Sequence, residues 1–226
     1  MTSDWQLFKR QLHRELTVYG RDTRQLLYAC VFFLMMLVFF PLTISAEAET
    51  LRQLAPGLIW IDLLFAFFLS SERLFQSDYD EGIIEQWLVS GYSIRTLITA
   101  KLMMNWLLMV VPMLILSPLI GVFLHLSSYE ILILMISIVC GTPSLLFLCG
   151  LAAAFSTGLK QKGILMALIL FPLTIPVMIF GSSTLISAMQ MQPIQGFLAI
   201  LLALSLMTTG FLPWAISAVV RLSLSD

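Results

Sequence analysis

The stretch "LAPGLIWIDLLFAFFLSSERLFQSDYDEGIIEQWLVSG", Leu54 to Gly91, sets an apolar run beside an acidic one. From Leu54 to Ser70 the one charged side chain is Asp62. From Ser71 to Gly91 come Glu72, Arg73, Asp78, Asp80, Glu81 and Glu85, all acidic but Arg73. The first part approaches the ~18 apolar residues that mark a membrane span. Such a span must be a helix, because lipid offers backbone N–H and C=O groups no partner. The second part is then the polar connection at one end of that span.

The rest of the chain repeats the pattern. Of its 226 residues, 59% are hydrophobic and 11% charged, with a mean hydropathy of +0.97. A soluble domain would be about half apolar and a quarter charged. Apolar runs predict six spans, near 25–44, 54–70, 97–124, 129–155, 163–187 and 197–220. The expected fold class is an all-α integral membrane protein with six transmembrane helices. The first 24 residues are polar, without the early apolar core of a cleavable signal peptide, so the first span is expected to be retained.

Basic residues predict the orientation. With the N-terminus inside, Lys9, Arg10, Arg14, Arg21, Arg24, Arg73, Arg95, Lys101, Lys160, Lys162 and Arg221 all fall on the inner side, and Arg52 alone on the outer. The positive-inside rule then puts both termini, including the tail 222–226, in the cytoplasm. The connections leave no room for a soluble catalytic domain, so soluble machinery would come from a partner. A net charge of −1 and the lack of a basic stripe argue against a nucleic-acid partner.

The leader, residues 1–24, reads as an amphipathic segment. Trp5, Phe8, Leu12, Leu16 and Tyr19 recur at spacings of three or four, with Lys9, Arg10 and Arg14 between them. This suits a helix at the inner membrane face with anionic lipid as its neighbour. A plain topology-setting leader is the alternative.

The acidic connection has the opposite sign and would be repelled by such lipid. "SDYDEG" reads as a turn, and "GIIEQWLVSG" as one short helix over about 80–90, with Ile83, Ile84, Trp87 and Leu88 at helical spacing. An acidic helix with an aromatic anchor fits a groove on a basic protein partner. The bland alternative is a solvated turn. On the sharper reading, Asp80, Glu81, Gly82, Glu85, Trp87 and Leu88 form a docking helix that couples the spans to a motor ATPase. "FFPLTIS" (39–45) and "LFPLTIP" (170–176) place Pro41, Pro172 and Pro176 where they would kink spans, with Thr hydroxyls re-satisfying freed carbonyls.

Several motifs together carry a resemblance. "FFPLTI" (39–44), "APGLIW" (55–60), "ERLFQSDYDEGIIEQW" (72–87), "LSPLI" (116–120), "GTPSL" (141–145) and "FPLTIP" (171–176) are similar to those of the CcmB family, the haem exporter protein B family of bacterial cytochrome c maturation. The likeness spans the whole chain, and the 72–87 block is its most specific part. It implies a membrane domain like those of type-2 ABC exporters, in the bacterial inner membrane. The implied partners are a CcmA-type ATPase, the membrane proteins CcmC and CcmD and, indirectly, the haem chaperone CcmE. The implied role is to couple ATP hydrolysis by CcmA to haem handling and release of haem-loaded CcmE from CcmC. It also implies no cofactor on this chain itself, with haem as a cargo of the complex and ATP on the partner. Two other readings stay open: a homodimeric ABC-2 exporter for a lipid-linked or hydrophobic cargo, and a non-transporting scaffold.

The remaining polar residues are weighed singly. Asp62 lies mid-span, where a carboxylate costs about 2.5–3.5 kcal/mol on insertion scales. It is expected either to face a polar group on another span or to serve ion or proton coupling. His125 is an outer-loop residue, either a surface histidine or a ligand for haem iron. Lys101 is expected to snorkel to the inner interface. Cys30, Cys140 and Cys149 lie in apolar runs without metal-ligand spacing and read as small hydrophobes. No G-x-x-x-x-G-K-[ST], G-x-S-x-G or H-E-x-x-H occurs, so no enzymatic activity is expected of this chain.

Overall fold

The computed structural model describes residues 4–21, 24–43, 48–157 and 162–222, and those residues form helices joined by short connections. The helices are α1 (Asp4–Arg21), α2 (Arg24–Thr43), α3 (Ala48–Ser71), α4 (Gln76–Asp80), α5 (Ile83–Val89), α6 (Ile94–Phe123), α7 (Ser128–Ser156), α8 (Lys162–Met189) and α9 (Gln195–Leu222). Five of them, α3 and α6 to α9, are long and apolar enough to cross a membrane. The expected first span falls on α2, whose apolar stretch, Leu27–Phe40, is shorter. The chain is a multi-pass membrane protein.

Helix α7 is central and packs against α3, α6, α8 and α9. Its sequence explains why. Gly141, Ser144, Gly150 and the run Ala152–Ala154 are small and let neighbouring backbones approach, as membrane helix interfaces require. A Cβ on Gly150 would sit 2.6 Å from Leu102 Cδ2 on α6. Polar side chains add bonds between helices. Trp106 Nε1 on α6 donates to Thr142 Oγ1 at 3.0 Å. Ser205 on α9 donates to the Cys140 carbonyl, and its oxygen lies 2.9 Å from that of Ser144. These bonds surround Pro143, which cannot donate to the carbonyl four residues back, so hydroxyls and an indole N–H hold the helix at its weakest turn.

Prolines lie inside other long helices too: Pro56 in α3, Pro112 and Pro118 in α6, Pro172 and Pro176 in α8, and Pro213 in α9. Pro41 is in the last turn of α2. Near Pro172, the Thr174 hydroxyl donates to the Phe171 carbonyl at 3.1 Å.

The helices alternate in direction. The α3–α6 connection, with α4 and α5, therefore lies at one end of the bundle, and the α6–α7 turn at the other. The far end is closed by an ion pair between the starts of α3 and α7, Arg52 Nη2 to Glu130 Oε1 at 2.6 Å. Glu130 also completes a capping box with Ser127.

Candidate functional site

The connection from Ser71 to Gly91 forms two helices, which corrects the sequence reading. "SDYDEG" was expected to turn, but Gln76–Asp80 is the short helix α4, and Gln76 Nε2 donates to Asp80 Oδ1 across it at 2.6 Å. The single docking helix over 80–90 shortens to α5, Ile83–Val89. Asp80 therefore ends α4, and Glu81 lies in the turn between the two. That turn needs Gly82, whose φ of 69° is left-handed and strained for any residue with a Cβ. A second glycine at φ 70°, Gly91, closes the segment.

The two faces of the segment differ. Ile84 and Trp87 are buried, with Leu74 and Phe75 of the preceding turn, in the hydrophobic core. Trp87 is 7% exposed, so its indole anchors α5 to this chain's own bundle. Outward point Asp80, Glu81, Glu85, Gln86 and Val89, with Gly82 and Leu88 half-buried. Beside them Glu72, Arg73, Gln76, Ser77 and Asp80 line a groove of about 410 Å³. The free surface is thus acidic, and the aromatic residue expected to meet a partner faces inward.

Beneath α4 lies a group of charges that the sequence reading missed. Asp78, on the inner side of α4, is 4% exposed. Its Oδ2 is 2.7 Å from Lys101 Nζ on α6, a charge contact rather than an aligned hydrogen bond. Its Oδ1 is 3.4 Å from Arg14 Nη2 on α1. Glu15, 1% exposed, faces the same two cations, with Oε1 3.1 Å from Arg14 Nη1 and Oε2 3.3 Å from Lys101 Nζ. Gln11 Nε2 donates to Glu15 Oε1 at 2.6 Å. Signs alternate around the ring, and every carboxylate oxygen faces a donor side chain. Such closure is what makes burying charge tolerable.

The ring corrects the reading of Lys101, which does not snorkel but is 5% exposed and paired. It also shows how α1 is oriented. Leu7, Gln11 and Glu15, spaced by four, face α6. The apolar stripe read from the sequence lies about a quarter turn away. There Trp5 and Leu16 are exposed and Phe8 and Leu12 half-buried, while Tyr19 lies outside the described side chains. The Trp5 and Phe8 rings stack at 5.8 Å, and Lys9 Nζ lies 5.0 Å from the Trp5 ring centroid. Two signals in the sequence point to the ring: Glu15 is a lone glutamate in a basic helix, and Lys101 lies two turns into an apolar one.

The other candidates stand apart. Asp62 is buried in α3 at 2% exposure, and neither carboxylate oxygen has a partner among the described residues. Phe40, Leu58 and Leu124 line the small space beside it. His125 is exposed in the α6–α7 turn. Among the described residues no three His, Cys, Asp or Glu side chains gather as a metal site would require, and Cys30, Cys140 and Cys149 are free thiols.

An acidic two-helix connection set on an all-helical, multi-pass bundle invites comparison with known families. The family model described as "CcmB protein" matches residues 6–223. The chain belongs to the CcmB protein family. Among curated relatives, "Heme exporter protein B" of Pseudomonas aeruginosa is 36% identical over 220 residues, 97% of this chain and 99% of that protein. Proteins of the same description from Haemophilus influenzae and Escherichia coli K12 are 34% and 35% identical, over 97% and 96% of this chain. The matches run from α1 to α9, so in this CcmB family member the acidic segment, the buried ring and the bundle all lie within the region of similarity.

Proposed function

We propose that this chain is the permease-like transmembrane subunit of an ABC-type complex in bacterial cytochrome c maturation. In this reading it couples ATP hydrolysis by a CcmA-type ATPase to haem handling and to release of haem-loaded CcmE from CcmC. The observation that carries the reading is the end-to-end similarity to proteins described as heme exporter protein B. The structure supports it by presenting an acidic, glycine-hinged segment at one end of the bundle. A basic groove on a soluble ATPase is its natural complement.

The finer features belong to the same proposal. The helix α2 serves as a sixth span, the membrane is the bacterial inner membrane, and both termini are cytoplasmic. Under that topology α1, α4 and α5 share the cytoplasmic side, and Arg52–Glu130 closes the other. The fold is of the type-2 ABC exporter kind. The partners are CcmA, CcmC and CcmD, with haem as cargo of the complex and ATP on the ATPase. Docking rests on the outward residues Asp80, Glu81 and Glu85, hinged at Gly82 and flanked by Leu88, while Trp87 fixes the segment from beneath.

The test is affinity purification of the tagged chain from its native membrane, wild type beside Glu81→Arg/Glu85→Arg, with partners identified by mass spectrometry. Wild type is expected to bring down a P-loop ATPase and a haem-handling membrane protein, and the reversed-charge variant to lose the ATPase alone. A wild type that captures no ATPase would sink the ABC reading.

A further inference from the structure

The ring of Arg14, Glu15, Asp78 and Lys101 joins three elements that are far apart in sequence. Arg14 and Glu15 come from α1, Asp78 from α4, and Lys101 from α6. The backbone of α4 packs beside α5 and makes no extensive contact with α1 or α6. The side chain of Asp78 ties it to both. Stability alone does not account for such a ring, since buried ion pairs are often replaceable by apolar groups at no loss. Their best-attested use is to fix one arrangement of elements against others.

We propose that this ring is a latch that makes α1 and α6 move with α4 when an ATPase presses on the acidic segment. The proposal rests on the ATPase-coupled reading above. Its mechanics follow from the geometry. Each cation is shared between one carboxylate on α1 and one on α4. The contacts run from 2.7 to 3.4 Å, and the longest two, Arg14 to Asp78 and Lys101 to Glu15, are close to the limit of about 3.5 Å beyond which such a bond is lost. A displacement of α4 by about an ångström either breaks buried pairs, leaving uncompensated charge, or carries Arg14 and Lys101 along. Carrying them is the cheaper course. Lys101 is in α6, which runs the length of the bundle, and Arg14 is in α1, whose Trp5 and Leu16 are exposed for lipid. A push on the docking segment thus reaches a long bundle helix and the helix at the lipid surface together.

The test uses the complex purified with its ATPase in lipid nanodiscs, read by hydrogen–deuterium exchange with and without the non-hydrolysable nucleotide AMP-PNP. In wild type, exchange in 76–89 and in 4–21 is expected to change together. The triple variant Glu15→Gln/Asp78→Asn/Lys101→Met keeps the shape of the ring and leaves the one-third-exposed Arg14 as its single charge. It is expected to hold the ATPase and to show the nucleotide response in 76–89 while losing it in 4–21. The fourfold swap Arg14→Glu/Glu15→Arg/Asp78→Lys/Lys101→Asp, which keeps the signs alternating around the ring, is the second variant, and it should recover the joint response that Lys101→Asp alone abolishes. A joint response that survives in the triple variant overturns the latch, as does a swap no better than the single change, while the ATPase-coupled reading stands. A wild type that captures no ATPase overturns both.

Discussion

The indole of Trp60 occupies the space that a Cβ on Gly181 would need. Its Cε2, Cζ2 and Cδ2 atoms all overlap that position, and its Cη2 would lie 2.6 Å from a Cβ on Gly141. One side chain of α3 thus fills a notch between α7 and α8, fully buried. Both glycines are needed for their missing side chain, since both lie within regular helices. Gly181→Ala is expected to destabilise the bundle by about 1–3 kcal/mol through overpacking. Trp60→Ala should cost about 3–5 kcal/mol through the cavity it leaves. The two defects are opposite in sense, so Gly181→Ala combined with Trp60→Leu should melt above Gly181→Ala alone in detergent. A pair that melts no higher than Gly181→Ala alone would show that the notch does not set the fit.

The ion pair at the far end is open to a cleaner measurement. Arg52 is one-third exposed, whereas Glu130 is nearly buried and keeps a 2.8 Å bond from the Ser127 backbone N–H whatever happens to Arg52. Removing the arginine therefore strands a carboxylate that is still partly satisfied. Arg52→Ala is expected to cost about 1.5–3 kcal/mol, the range for a hydrogen bond to a charged group. Glu130→Ala should cost more, because it also removes the carboxylate half of the α7 capping box, the bond from the Ser127 backbone N–H. A double-mutant cycle should return a coupling of at least about 0.5 kcal/mol, and a coupling of zero would mean that the two helix ends are held by packing alone.

The long helices were legible because an apolar run of span length has one stable conformation in lipid. α6 to α9 lie close to the runs read from the sequence, while α3 starts at Ala48, ahead of the expected 54, because Glu49 and Arg52 are polar residues that hydropathy discounts. α2, Arg24–Thr43, lies within one residue of the expected 25–44. The acidic segment was recognisable by composition but not by geometry. Five residues of α4 are too few to show a helical period, and Trp87 at an exposed-looking position turned inward because Ile84, a turn earlier, faces the core with it. The buried ring was invisible for a different reason. The pairs that join its elements span 23 to 86 positions, and the packing of α1 on α6 brings them together. A charge in a polar-looking segment carries no sign of which element will cover it.

The α6–α7 and α8–α9 turns each use a left-handed residue that is not glycine. His125 has φ 57° and Met191 φ 55°. The hydrogen bonds explain the conformation: Leu126 N–H reaches the Gly121 carbonyl and His125 N–H that of Val122, and Gln192 N–H and Met191 N–H do the same at Ser187 and Ala188. These are paired helix C-caps of the kind glycine normally fills. A left-handed L-residue costs about 1–2 kcal/mol, part of which glycine gives back through its looser unfolded chain. His125→Gly and Met191→Gly are each expected to stabilise the protein by about 0.5–1 kcal/mol, seen as a higher melting midpoint. If His125→Gly raises stability but removes haem-type absorbance from the purified complex, the histidine is a ligand held in strain. Unchanged absorbance makes it a cap residue and nothing more.

Asp62 offers the sharpest contrast between structure and function. Its carboxyl is buried within α3 with apolar Phe40, Leu58 and Leu124 beside it and no partner among the described residues. Leaving a buried polar group unpaired costs about 1–3 kcal/mol. If Asp62 serves the fold alone, Asp62→Leu should raise stability by about that amount and leave assembly and cytochrome c output intact. Asp62→Asn, which keeps the shape but not the titration, should then behave like wild type. If the carboxyl carries a proton or an ion, both variants should accumulate normally and both should lose cytochrome c output. Immunoblotting for the chain beside haem staining of cytochrome c, in cells carrying each variant, separates the two. Output that follows the Asp62→Leu protein at wild-type level would end the coupling idea.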